Sequence, residues 1–298
     1  MPNLAKSSIA PILGQRVPLR GPARLLYHSY AKSPCRPGDL VRRVTSKFGD
    51  EFDVDLSSFL EWQIWVFGSF EGHFAELFRY LVRPADRCID VGANVGVHTV
   101  RLAKLVGKQG EVIAVEANEE VARRANNNIL LNRLVNVRVI QAAASDHADH
   151  SVLLYRPDAE DSNRARASML PHAYLTGSAA RVDTIAIDDI NHEPVALIKI
   201  DVEGCESAVI SGATRTIDAF SPYIIFEYAP YLLSGESHSP FGWLQERGYE
   251  LFNIDRNRHN ITGRGTLALE RLDMLPDKGG DILAVPGPIT SRLRSLVR

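Results

Sequence analysis

The chain has 298 residues, 45% hydrophobic and 23% charged, which excludes a wholly disordered, collagenous or coiled-coil chain and leaves room for one large α/β unit or two smaller domains. Its formal net charge of −2 argues against a protein whose main work is neutralising a nucleic-acid backbone, so no nucleic-acid partner is expected. The three cysteines, Cys35, Cys88 and Cys205, are too sparse for a disulfide framework or a zinc site and fit a reducing, cytoplasmic setting.

In chain order, residues 1–47 carry nine Lys or Arg against the single acid Asp39, a net +8 that leaves −10 for residues 48–298. Six prolines in the same stretch discourage helices, so residues 1–54 read as a basic, Pro-rich N-terminal arm and 55–298 as the catalytic domain. Such an arm leaves peripheral contact with a membrane surface open. No apolar run approaches the ~18 residues of a transmembrane helix, and no compact apolar run behind a basic start suggests a signal peptide. An aromatic-rich stretch, Phe59 to Phe78, reads mainly as core.

From about residue 86, short apolar runs alternate with helix-period segments. Strands are expected at 87–91, 111–116, 136–141, 194–201 and 222–227. Helices are expected at 95–106, 118–131 and 204–220, followed by a helix at 239–248 and closing strands at 249–254 and 281–285. This alternation predicts βαβ units and a mostly parallel, twisted sheet with helices on both faces. The interval 155–180 breaks the pattern and reads as an insertion over the active site.

The informative run is Asp90-Val91-Gly92-Ala93-Asn94-Val95-Gly96-Val97-His98, between a strand and a helix, where a Gly-rich turn binds nucleotides. A dinucleotide fingerprint wants glycines at its first, third and sixth positions, here Gly92, Asn94 and Val97, so two of the three fail. Asp90, closing the first strand, points instead to a ligand with an amino group or positive charge, and S-adenosylmethionine has both. Glu116, ending the second strand, suits the two hydroxyls of a ribose. Asp146, after the third strand, could accept from an adenine amino group or serve as an ordinary turn acid. His98 reads equally as a packing residue or a ligand contact.

Four blocks resemble the FkbM family of S-adenosylmethionine-dependent methyltransferases: Phe67-Gly68-Ser69-Phe70-Glu71, the Asp90–Gly96 run, Asn126–Asn132, and Leu197-Ile198-Lys199-Ile200-Asp201-Val202-Glu203-Gly204. Together they span roughly residues 60–230. The resemblance implies a Rossmann-like class I methyltransferase fold and S-adenosylmethionine as cofactor. It also implies a hydroxyl acceptor on a sugar, glycan or secondary metabolite, and places Glu71 near the methionine end of the cofactor. A hydroxyl must lose its proton, so a base is needed. Asp201 and Glu203 are the candidates, two residues apart and thus on one side of an extended chain. Lys199 shares that side and reads as an ion-pair partner. Two carboxylates alone do not establish a metal, and none is expected. The competing readings are an N-methyltransferase of the same fold, a nicotinamide-dependent oxidoreductase, and a cofactor-binding module without catalysis.

Overall fold

The computed structural model describes residues 10–11, 30, 41–148, 150–156, 167–169, 177–229, 240–255, 267–276 and 278–298. Cys35, nearly all of the basic stretch before residue 41 and most of 155–180 lie outside them. The chain opens on β1 (Val41–Thr45) and β2 (Glu51–Asp55), then α1 (Phe59–Phe67) and α2 (Gly72–Leu81). It continues through β3 (Arg87–Val91), α3 (Val97–Val106), β4 (Glu111–Glu116), α4 (Glu119–Leu131) and β5 (Val137–Gln141). Next come β6 (Ala143–Ala144), β7 (Ser151–Tyr155), β8 (Ala179–Ile185), α5 (Ile187–Ile190) and β9 (Leu197–Ile200). The last elements are α6 (Glu206–Ser211), α7 (Thr214–Phe220), β10 (Tyr223–Tyr228), α8 (Pro240–Glu246), β11 (Tyr249–Asp255), β12 (Ala268–Leu272), β13 (Gly280–Pro286) and α9 (Ser291–Arg294).

Among the described residues, eight strands form the main sheet in the order β12-β11-β13-β10-β9-β3-β4-β5. β5, β4, β3, β9 and β10 are parallel neighbours, and β13 is inserted antiparallel between β10 and β11. The central strands are nearly unbroken apolar runs because both faces are covered. On one face Ile89, Val91, Ile198, Ile200, Ile224 and Phe226 pack with Val209, Ile217 and Leu244 of α6, α7 and α8. On the other, Cys88, Leu197, Ile225 and Leu283 pack with Phe74, Phe78, Leu102 and Val106 of α2 and α3. The mostly parallel Rossmann-like sheet expected from the alternation is present.

Three local features depart from expectation. The helix expected over 204–220 is two, α6 and α7, because Gly212 passes close to the backbone at Ser145. A Cβ at Gly212 would lie 3.0 Å from the Ser145 carbonyl carbon. Asp188, from α5, then caps α7 by accepting from the backbone N–H of Arg215 and Thr216, both at 2.8 Å. The antiparallel pair β7·β8 and the strand β12 are also additions.

Residues 41–55, on the arm side of the expected division, pair as a hairpin bonded to α4. The Asn128 side chain accepts from Asp53 N–H at 3.0 Å and donates to Val95 C=O at 2.8 Å, joining hairpin, helix and Gly-rich turn. Asn132 bonds both backbone groups of Glu51. The Asn126–Asn132 block is therefore a structural clasp. Ala10 and Tyr30 pack with Trp62 and Phe67, and Tyr30 donates to Ser57 C=O at 2.7 Å.

Candidate active site

Strand alternation sets the site. On the α2/α3 face, Cys88 is followed by Asp90, Leu197 by Lys199, and Ile225 by Glu227, while Asp281 precedes Leu283. Asp90 pairs in register with Lys199, and Glu227 with Asp281. One apolar layer thus gives way to polar groups where the parallel strands end, the edge at which open α/β sheets bind ligands. A cavity of about 410 Å3 lies there, within the range of small-molecule sites.

One half of the cavity rests on the Gly-rich turn. Gly92 and Ala93 donate to Val115 C=O at 2.9 and 3.0 Å, and Gly92 takes φ +75° beside the Asp201 backbone. Asn94, with φ 52°, holds the turn by accepting from Val95 N–H at 2.7 Å. Glu116 closes β4, its carboxylate accepting from the N–H groups of Asn94 and Asn118, each at 2.9 Å. Burial pushes Glu116 up to about 7, against those two N–H groups.

That position gives a pH dependence. From its ordinary value of 4.5, a raised carboxyl pKa means that folding disfavours the ionised form, so Glu116's contribution to stability is lost between pH 4.5 and about 7. Ligand hydroxyls want the ionised carboxylate. At pH 6 about a tenth of the free protein would be ionised there, so affinity for S-adenosylhomocysteine should rise nearly tenfold from pH 6 to pH 8. Calorimetry across that range, with Glu116→Gln flattening the profile, checks this.

The centre is a charged cluster. Lys199 is 2% exposed; its Nζ lies 3.2 Å from Asp201 Oδ2 and 3.8 Å from Asp90 Oδ1. Burial alone would lower the lysine, but Asp201, Asp90 and Glu71 hold it above its ordinary value. Thr99 Oγ1 donates to Asp90 Oδ2 at 2.6 Å. His98 Nε2 lies 3.2 Å from Glu71 Oε2, its ring edge-on to Phe74 and Phe78. Burial, then the charge of Lys199, push His98 down to about 3, so it is a neutral imidazole at physiological pH.

Of the ten residues singled out in the sequence, Glu71, Gly92, Asn94, His98, Glu116, Asp201 and Glu203 line the cavity. Asp90, Gly96 and Asp146 do not. Asp90 is fully buried, outside the cavity's lining, where it pairs with Thr99 and Lys199. Gly96 supplies the left-handed residue, φ 85°, that starts α3. The Asp146 side chain is 47% exposed and pairs with His147. Asp201 and Glu203 share the cavity by a different route than expected: β9 ends at Ile200 and Glu203 is left-handed, φ 52°, its C=O accepting from Ser168 Oγ at 2.9 Å. Glu206 accepts from Val202 and Gly204 N–H and so shapes this turn; burial raises it to about 7. Cys205 is buried and its thiol is pushed up to about 11, a packing residue and not a nucleophile.

Several lining residues carried little signal in the sequence. Ser58, Phe59, Leu60, Gln63 and Phe70 come from the aromatic stretch read as core. Glu227 and Asp281 lie at strand ends, legible only as acids closing or opening apolar runs. From 155–180, Ala167, Ser168 and Met169 reach the cavity.

The Methyltransferase FkbM domain model matches residues 90–251, more than half of the chain. The chain belongs to the FkbM methyltransferase family. This makes the FkbM domain a methyltransferase with S-adenosylmethionine as its cofactor. The cavity fits that molecule: a glycine turn without room for a Cβ beside Asp201, a carboxylate ending β4, and an acidic lining suited to a sulfonium cation.

Over 71 residues the chain is 34% identical to the 23S rRNA (uracil(1939)-C(5))-methyltransferase of Acinetobacter baumannii, covering 24% of this chain and 15% of that protein. Over 59 residues it is 32% identical to a protein-L-isoaspartate O-methyltransferase of Methanococcus aeolicus, covering 20% of this chain and 27% of that protein. It therefore spans well under a third of either relative. Among solved structures, methyltransferase FkbM of Methylobacillus flagellatus aligns at a TM-score of 0.43 and 15% identity, over 70% of this chain and 50% of that one. A SAM-dependent O-methyltransferase of Thermotoga maritima aligns at 0.38 and 16%, over 74% and 66%.

Proposed function

We propose that this protein is an O-methyltransferase acting, in the cytoplasm, on a hydroxyl of a sugar, glycan or secondary metabolite. The observation that carries this reading is the carboxylate-rich half of the cavity beyond the glycine turn: Asp201, Glu203, Glu227 and Asp281. When bound, S-adenosylmethionine supplies a methyl group already activated by a sulfonium. What the chain must add is position and a place for the acceptor's proton. Asp201 is engaged by Lys199 at 3.2 Å, which suits it to orienting the acceptor. Glu203, held on its left-handed turn by the bond from Ser168, is the better proton acceptor. Neutral His98 holds Glu71 without adding positive charge to the sulfonium's surroundings. A polyanionic acceptor would meet unfavourable charge on this wall, whereas hydroxyl groups find acceptors there.

Transfer of labelled methyl groups to panels of hydroxylated and amine compounds tests the reading; label appearing only on nitrogen would sink it. With an acceptor in hand, Glu203→Gln should lower turnover on the order of 10²-fold or more while leaving cofactor affinity little changed. Undiminished turnover would remove Glu203 as the base.

A further inference from the structure

The cavity suits one end of the cofactor's amino-acid tail better than the other. Six carboxylic acids line it, Glu71, Glu116, Asp201, Glu203, Glu227 and Asp281. Lys199, already engaged by Asp201 and Asp90, is the single Lys or Arg of the lining among the described residues. Such a lining attracts a sulfonium and an α-amino group but repels the α-carboxylate of the same molecule. The glycine turn has no N–H to spare for it: Gly92 and Ala93 donate to Val115 C=O, Asn94 to Glu116, Val95 to the Asn94 side chain and Gly96 to Ala93 C=O. The N-terminus of α3 has the Glu71 carboxylate beside it, 3.2 Å from His98. That of α4 is capped by Asn118 and carries Glu119 and Glu120.

The N-terminus of the nine-residue α1 is different. Ser58, its N-cap, is 4% exposed and lines the cavity. Its Oγ nevertheless makes no hydrogen bond among the described residues and does not cap its own helix. A buried hydroxyl without a partner costs free energy unless a ligand supplies one. Leu60 also lines the cavity, and the N–H groups of Leu60 and Glu61, in the first turn, have no intrahelical acceptor. The Glu61 carboxylate does not take their place at the terminus: it accepts from Arg124 at 2.7 Å and from Asp55 N–H at 2.8 Å. The terminus is also fixed in position, since Ser58 N–H donates to Asp55 C=O at 2.9 Å and Tyr30 donates to Ser57 C=O at 2.7 Å.

We propose that Ser58 Oγ and the first-turn N–H groups of α1 hold the α-carboxylate of S-adenosylmethionine and of its product. These donors form charge-assisted hydrogen bonds, and the positive end of the helix dipole adds to them. Ser58 lies before residue 90, so this part of the cofactor site comes from sequence that the FkbM domain match does not include. The inference concerns the cofactor and is independent of which acceptor is methylated.

The test uses the full chain and its Ser58→Ala and Ser58→Asp variants, each first unfolded thermally without ligand. Because no capping bond is lost, Ser58→Ala should unfold as the wild type does. Each protein is then titrated by calorimetry with S-adenosylhomocysteine and with S-adenosyl-3-thiopropylamine, which keeps the amine and lacks the carboxylate. The wild type should prefer S-adenosylhomocysteine by about tenfold or more. Ser58→Ala should weaken S-adenosylhomocysteine about tenfold, the loss of one hydrogen bond to a charged group, and leave the thiopropylamine unchanged. Ser58→Asp keeps a good N-cap but sets a like charge against the ligand, so it should weaken S-adenosylhomocysteine on the order of 10²-fold and reverse the preference. This second variant reads the site even where Ser58→Ala is unstable. No preference in the wild type, equal weakening of both ligands in the variants, or S-adenosylhomocysteine affinity unmoved by either substitution would each overturn the assignment.

Discussion

Gly92→Ala is expected to abolish cofactor binding and to lower stability sharply, from two separate causes. At φ +75° an L-residue costs about 1–2 kcal/mol. In addition, the new Cβ would sit 2.8 Å from the carbonyl carbon of Asp201 and closer still to its oxygen. That carbonyl cannot swing aside without moving the turn that carries Glu203. Gly248 is the internal control: its φ is +80°, yet nothing lies within 4 Å of the corresponding Cβ. Gly248→Ala should therefore lose only the backbone cost, whereas Gly92→Ala should also displace the turn that carries Glu203. A displacement of about 1 Å there is worth on the order of 10²-fold in methyl transfer. Chemical denaturation of both variants, with S-adenosylhomocysteine titrations, measures the difference. Equal losses at the two glycines, or a folded Gly92→Ala with wild-type affinity, would remove Gly92 from the floor of the site.

The parallel half of the sheet was legible because its signals are local. Val112-Ile113-Ala114-Val115 and Leu197-Ile198 are apolar on both sides of the chain, and only strands covered on both faces need that. The start of α4 was equally plain: Asn118 accepts from Glu120 N–H at 3.1 Å, and two glutamates follow in the first turn. The hairpins were not legible. In β7 and β8 the alternation is shallow, since Leu154 and Val182 face a small satellite core while their neighbours face water. Nor could the break in the helix at Gly212 be read locally, because its cause is the backbone of Ser145, far away in sequence.

The site divides along the same line. Gly92, Asn94 and Glu116 belong to a contiguous motif on one strand–turn–helix unit and the next strand, so spacing alone brought them together. Asp90 belongs to the same motif, yet period-two alternation turns it under the floor toward Lys199, and no spacing rule separates a floor carboxylate from a lining one. Gln63 and Asp281 meet the cavity only through tertiary packing, 218 positions apart. An amide inside an aromatic helix and an acid opening an apolar strand carry no mark of a ligand until the strands between them are ordered.

Lys199→Met should be strongly destabilising, and it separates the floor's structural work from any part it plays in methyl transfer. Removing the ammonium leaves Asp90, fully buried, with a charge compensated only by the hydroxyl of Thr99. Breaking a buried pair in this way costs about 3–5 kcal/mol. Asp201 contributes less to that loss, because its side chain is 39% exposed and water can take over its charge. The second change should therefore rescue the first: in Asp90→Asn/Lys199→Met no buried charge remains, and part of the lost stability returns as a coupling of about 0.5–3 kcal/mol in a double-mutant cycle. The rescue should not extend to catalysis, since Asp201 loses its orienting partner in both backgrounds. His98 provides a third reading. The charge of Lys199 helps to hold it down at about 3, so its titration, followed by NMR, should move up in Lys199→Met. Additive stability losses at Asp90 and Lys199, with an unmoved His98, would show that the three groups do not act as one cluster.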